Sequence, residues 1–231
     1  MGRLTLLLLC LLTSTVCAQY YERSFDDTPH RVAHAGFFLR DFDPRASNSL
    51  PDSLRISYSR VMPAIGFRQG LVDLTFGYTR FTLRGDSKTA IFAAVTIANE
   101  LPLAFGREHS LLLPFQISSD YTRADNTGGD KENFSIGSVG IGAGLKYRYR
   151  QPSFEFSIHA VEAAHWALEG FSTGSGFSAA TMGEASFTFR DAVVLDGVML
   201  GYRFRYQTWN MSNAKFNYNS LSHGAFLGIL F

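Results

Sequence analysis

The chain has two cysteines, Cys10 and Cys17, and both lie within its first eighteen residues. Without that segment nothing remains to form a disulfide or a thiolate nucleophile. Stability must then come from a core or from a membrane. Charge is also scarce, at 18% of residues, and it is balanced: 21 Lys plus Arg against 20 Asp plus Glu. That excludes a disordered polar tail and a global basic field that would recruit nucleic acid. No 3.6-residue apolar period persists past residue 30, which argues against amphipathic helices. Phe (21), Tyr (10) and Gly (21) are abundant instead, a mixture suited to strands on an apolar surface. A length of 231 residues fits one domain of ordinary size.

Residues 1–18 have the layout of a secretory signal peptide. Arg3 precedes an apolar run at 4–12 broken only by Thr5, and Val16-Cys17-Ala18 stands ahead of a cut before Gln19. The run is too short to span a bilayer. A buried N-terminal helix and lipidation at Cys17 are the alternatives, although Ser14-Thr15-Val16 fits a lipoprotein signal poorly. Cleavage leaves 19–231 as a single domain of 213 residues, with 20 basic against 20 acidic side chains and no cysteine.

The rest of the chain alternates with a period of two, the mark of strands with unlike faces. In 198–207 the even positions are Val198, Leu200, Tyr202, Phe204 and Tyr206, and the odd ones include Gly201, Arg203 and Arg205. Phe154, Phe156 and Ile158 oppose Glu155, Ser157 and His159; Val72, Leu74, Phe76 and Tyr78 oppose Asp73, Thr75, Gly77 and Thr79. The pattern predicts ten strands near 31–40, 53–62, 71–83, 88–100, 109–121, 133–149, 153–165, 176–190, 197–209 and 218–231, with eight as the alternative number. A change of phase near Arg80-Phe81 predicts a bulge. Several of these runs reach thirteen residues. Soluble strands average about five or six, whereas a tilted membrane strand needs roughly nine to eleven.

The linkers fall into two alternating classes. One is polar and turn-rich: 41–52, 84–87, 123–132, 170–175 and 210–217. The other is less polar and often shorter: 63–69, 101–108, 150–152 and 191–196. Outer-membrane barrels have longer extracellular loops and shorter periplasmic turns. With residue 231 on the periplasmic side, every polar linker falls outside the cell. In 221–231, Ala225, Leu227, Ile229 and Phe231 share one face. This segment resembles the terminal strand of small Gram-negative outer-membrane β-barrel proteins. The resemblance implies an all-β fold, a transmembrane up-and-down antiparallel barrel behind a cleavable signal peptide. It also implies location in the outer membrane of a Gram-negative bacterium, contact with outer-membrane lipid and lipopolysaccharide, and handling by the barrel-assembly machinery through the strand ending in Phe231. A monomer with no nucleic-acid partner is expected. Trp166, Trp209 and Tyr121 at one set of strand ends, and Tyr147, Tyr149 and Phe231 at the other, are expected to form interfacial girdles.

If the aromatic face meets lipid, the other face lines a lumen carrying Arg55, Asp73, Lys146, Arg148, Glu155, His159, Glu184, Arg203 and Arg205. Charges of both signs buried together should pair. Eight strands leave an interior just filled by side chains and open porins need about sixteen, so a closed or very narrow polar lumen is expected. Ser157, His159 and His165 share a face of one strand while Glu162 points away, and six residues, roughly 20 Å, separate the two histidines. That spacing is too long for a nucleophile and its base. His30 and His34 lack an evident third metal ligand. Residues 125–130 lack the spacing of a calcium loop, and Gly140-x-Gly142-x-Gly144 lies within a strand and reads as a smooth lumen face or packing site. Asn133-Phe-Ser135 and Asn210-Met-Ser212 fit the glycosylation triplet, which matters only in a eukaryotic source. No catalytic, cofactor-binding or metal-binding residue is assigned. The expected function is therefore a non-enzymatic outer-membrane barrel, structural or interaction-mediating through its extracellular loops. The alternatives are a lipid-modifying hydrolase in the outer membrane and a soluble secreted carrier of an apolar ligand resembling lipocalins.

Overall fold

The computed structural model describes residues 31–125, 133–169, 174–192 and 195–231; the expected signal peptide and His30 lie outside these. Ten antiparallel strands close into a barrel: β1 (Arg31–Pro44), β2 (Tyr58–Gln69), β3 (Val72–Leu83), β4 (Asp86–Phe105), β5 (His109–Ala124), β6 (Phe134–Gln151), β7 (Phe154–Glu169), β8 (Ser175–Ala192), β9 (Leu195–Met211) and β10 (Tyr218–Leu230). Each strand pairs with the next, and β10 closes on β1 from Val32↔Leu230 to Pro44↔Tyr218. A row of paired residues that leaves β1 at Arg31 passes through Gln69, Val72, Ile97, Ile117, Ile141, Ala164, Ala179, Thr208 and Asn219 and returns at Asp43, twelve residues further along β1. That stagger tilts the strands to the barrel axis, by about 35–45° in barrels of this type.

The two rims differ. The lower rim carries Arg31, Phe231 and the tight connections at 70–71, 106–108 and 152–153. The upper rim carries the 45–57 loop, the 212–217 loop and the Arg84-Gly85 hairpin, whose two residues both take positive φ, 55° and 86°. This is the backbone that a two-residue hairpin with matching twist requires. Much of the upper connections at 125–133 and 170–174, and all of the lower one at 193–194, lie outside the described residues.

Parity decides which face meets which surroundings. Phe37, Ile65, Phe76, Ile117, Ile141, Phe187 and Leu227 point outward; Ile141 is 70% exposed and Phe37 69%. Arg203 and Arg205 point inward, as do Asp73, Lys146, Arg148, Glu155, His159 and Glu184. A soluble carrier with its rings packed in the middle is thereby overturned, and ten strands replace the alternative of eight.

Several boundaries shift from expectation. The second strand lies at Tyr58–Gln69 and not at 53–62, so the whole of the expected 63–69 linker is strand. Pro63 pairs with Phe37 of β1, but the β2–β3 ladder spans only Ala64–Gln69 with Val72–Gly77. Proline lacks the N–H that a second ladder would use, and Pro63 stands where that ladder stops. Above it, Thr79 Oγ1 donates to the Val61 carbonyl at 2.9 Å. Likewise β4 runs on to Phe105, through most of the expected 101–108 linker. The bulge expected at Arg80-Phe81 is absent, since β3 pairs with β4 without a break from Val72 to Leu83. The register instead shifts between Pro102 and Ala104.

Candidate functional site

The lumen concentrates the polar chemistry. At its lower end Glu100 accepts from Lys146 Nζ at 2.6 Å and also from Arg148, while Glu155 faces Arg150 Nε at 3.0 Å and Arg190 Nη2 at 3.1 Å. One step up, Asp73 and Glu184 alternate with Arg68 and Arg203. Arg68 Nη2 lies 2.7 Å from Asp73 and 3.0 Å from Glu184; Arg203 Nη2 lies 2.7 Å from Glu184 and 3.1 Å from Asp73. His34 adds a nitrogen 3.5 Å from Asp73. Higher still, Arg205 Nη2 donates to Asp120 at 2.7 Å, and Gln207 Nε2 donates to Asp120 at 3.2 Å and to Ser178 at 2.9 Å. Burying a charge is costly unless it is paired and hydrogen-bonded, and these carboxylates find guanidinium or ammonium partners both on neighbouring strands and across the barrel.

Above this network the lumen turns apolar. Phe42, Tyr58, Phe81, Phe134, Trp209 and Tyr218 converge from six strands, and all are buried. Phe42 stacks on Tyr218 at 4.7 Å and on Tyr58 at 5.5 Å, and Tyr58 stacks on Phe81 at 4.3 Å. Phe134 meets Phe42 edge-on at 4.9 Å and Trp209 at 5.3 Å. Such pairs contribute about 0.5–1.5 kcal/mol each beyond area burial. Two of the upper loops, 45–57 and 212–217, lie over the rings. Ile56 and Phe216 pack against them, and the Tyr218 hydroxyl accepts from the Ile56 N–H at 3.1 Å. Asn48 Nδ2 donates to the carbonyls of Lys215 (2.9 Å) and Asn217 (3.1 Å), tying the 45–57 loop to the 212–217 loop. Between this plug and the lower rim lies a cavity of about 530 Å³.

The residues expected to face the lumen do so, with one exception. Arg55 lies in the 45–57 loop, where it caps a short 3-10 turn at Asp52–Leu54, donates to the carbonyls of Leu50 and Asn48, and pairs with Asp52 at 2.7 Å. Its displacement follows from that of β2. Trp209 was expected in the outer girdle and is instead fully buried in the plug; it shares the inward parity of Arg205 and Gln207. Trp166 and Tyr121 turn outward near the upper rim, and Tyr147, Tyr149 and Phe231 lie toward the lower one. Gly140 and Gly144 are packing sites, because a Cβ on either would run into the carbonyl oxygen of Ala164 or Ala160 across the ladder.

The chemistry-bearing residues of β7 separate. Ser157 bonds Ser186 Oγ at 2.9 Å, His159 lies opposite Glu184, and Glu162 points outward, accepting from Thr181 Oγ1 at 3.0 Å. His165 meets two residues of β5 that lie far from it in sequence. Its Nε2 is 2.8 Å from Ser118 Oγ and 3.9 Å from Asp120. A catalytic relay needs the serine and the carboxylate on opposite ring nitrogens. Here both approach the same one, and all three residues are buried. Among the described residues no three His, Cys, Asp or Glu side chains group to hold a metal.

No family model matches the chain, and no curated protein is similar to it in sequence. Solved structures with a similar arrangement include the outer membrane protease OmpT from Escherichia coli (11% identity, 88% of this chain and 97% of that one, TM-score 0.38). Others are Neisserial surface protein A (16%, 87% and 97%, 0.33) and the outer membrane protein OprG from Pseudomonas aeruginosa (11%, 88% and 96%, 0.32). The chain's own geometry carries the assignment. Closed barrels satisfy every backbone group without water, and an even number of strands with rings outward and charges inward is the architecture of bacterial outer-membrane barrels. This chain has the fold of a transmembrane β-barrel of the Gram-negative outer-membrane type.

Proposed function

We propose that the protein is a non-enzymatic barrel that does not conduct and that works as a structural or interaction-mediating protein through the loops of its upper rim. In this reading the lower rim faces the periplasm and the 45–57 and 212–217 loops face outward. The outward face of β10, with Leu227 and Ile229 exposed, offers the barrel-assembly machinery the strand to grip. The observation that carries the reading is the aromatic plug: six rings fill the upper lumen beneath two loops hydrogen-bonded to each other. The absence of a relay geometry at Ser118, His165 and Asp120 supports the non-enzymatic part.

Planar-bilayer recordings on the refolded protein test it. Silent bilayers are the expected result, and reproducible unitary steps would overturn the closed lumen. Lipid hydrolysis by the purified protein, lost on His159→Ala, would overturn the non-enzymatic reading.

A further inference from the structure

Among the described residues, the wall of the cavity beneath the plug carries more cations than anions. It carries seven Arg and Lys side chains against three Asp and Glu. Asp120 and Glu155, which bond to wall arginines from behind, raise the acidic count only to five. The imbalance is sharpest at Arg40. This side chain is 3% exposed, yet among the described residues no carboxylate lies within 4.0 Å of it. Its Nε donates to Ser220 Oγ at 3.1 Å and its Nη2 to Thr122 Oγ1 at 3.2 Å, both neutral oxygens. Its Nη1 meets only Met62 Sδ, at 3.9 Å. A buried guanidinium with no carboxylate in contact is costly, and a thioether is a weak acceptor.

The same arrangement recurs twice on the cavity wall. Arg205 Nη1 points at Met182 Sδ at 3.5 Å, and Gln116 Nε2 points at that sulfur at 3.7 Å. Arg40 and Arg205 also approach the same ring, with their guanidinium carbons 5.0 and 5.3 Å from the centroid of Phe92. Three buried or half-buried N–H donors from three strands thus converge on one cavity with only methionine sulfurs as acceptors there. Flexible methionines yield space readily, and oxyanions are the acceptors that guanidinium groups bind best.

We propose that this cavity is a binding site for a small amphiphilic anion. Its oxyanion replaces the methionine sulfurs at Arg40 Nη1 and Arg205 Nη1, with Gln116 as a third donor. Its apolar body lies against Phe38, Phe92, Val161 and the displaced methionines, all of which line the space. A volume of about 530 Å³ falls within the range of sites that enclose such molecules, roughly 300–1,000 Å³. Entry is from the lower rim, because the cavity wall reaches Gly70, Leu71 and Arg150 there, while the plug closes the other end. The apolar groups and the unmatched cations together exclude a bare inorganic ion as the best fit and select an anion with a hydrocarbon portion. The site is independent of what the outer loops contact.

The test is equilibrium dialysis of 2-naphthoate against the refolded full chain in phosphatidylcholine nanodiscs, with empty nanodiscs as the blank and 2-naphthylmethanol as the uncharged analogue. Saturable binding of the carboxylate is expected, with the alcohol at least about tenfold weaker, the loss of one charge-assisted contact. Arg40→Met should remove the preference for the carboxylate while the barrel stays folded, since it deletes an unpaired buried charge. Ala94→Phe, which fills the cavity and leaves every charge in place, should abolish uptake of both compounds. Carboxylate uptake no greater than in empty nanodiscs, equal binding of acid and alcohol, or undiminished preference in a folded Arg40→Met barrel would each overturn the site.

Discussion

The upper end of the lumen is filled by rings, the part below it is lined by ion pairs around the cavity, and the two regions behave differently toward mutation. The rings of Phe42, Phe134 and Trp209 hold one another by area and edge contacts, so each lost ring leaves a hole and little else. In the ionic part, Glu184 serves Arg68 and Arg203 at once, so its loss strands charges elsewhere. On the proposed reading the plug should decide whether the barrel leaks, and the ionic ring should add stability without closing the lumen. The comparison breaks most visibly at the plug. Phe42→Ala combined with Trp209→Ala should cost on the order of 3–5 kcal/mol for each ring and should convert silent bilayers into conducting ones. If stability falls but no conductance appears, the 45–57 and 212–217 loops and not the rings are the seal.

Glu184→Gln is the matching test in the lower half. It leaves two guanidinium groups to share Asp73, and breaking a buried ionic cluster in this way costs about 3–5 kcal/mol. A lowered urea midpoint with unchanged conductance is the expected outcome, because Gln keeps the volume. A conducting Glu184→Gln barrel would move the seal from the rings to the ionic ring and reverse the comparison.

How much of this was readable beforehand follows the same division. Strand parity is a local property, so the ten strands, the outward rings and the inward charges of 139–149 and 198–207 could be read directly. Partnership is not local. Glu184 finds Arg68 across the barrel, and Asp120 finds Arg205, through a stagger that no single strand reveals. The plug does carry a sequence signal: Phe42, Tyr58, Phe81, Phe134, Trp209 and Tyr218 are each aromatic at an inward position near the polar-loop end of a strand. The position of Trp209 at a strand end points to the lipid girdle, but its parity with Arg205 turns it inward. Phe81 looked like a change of phase for the same reason, since a ring on the charged face imitates a bulge. Arg55 and β2 depart from expectation together, because the apolar residues at 54–62 continue an alternation that the 3-10 turn at Asp52–Leu54 interrupts.

The smallest effect sharpens the comparison between faces instead of ends. Glu162 lies midway along β7 on the outward face, with Thr181 Oγ1 as the donor to its carboxylate. Outward at that height means hydrocarbon, and charged side chains on the lipid face of such barrels destabilise in a depth-dependent way, carboxylates less than Lys or Arg, whose cost is about 2–4 kcal/mol at the midplane. Glu162→Leu should therefore stabilise the barrel, by roughly 1 kcal/mol, when unfolding is measured from lipid bilayers. Glu184 and Glu162 are then the same chemical group on one sheet with opposite signs of effect, because one faces guanidinium groups and the other faces acyl chains. Loss of stability on Glu162→Leu would mean that the outward face at this height meets something polar, and the lipid boundary would have to be redrawn around β7.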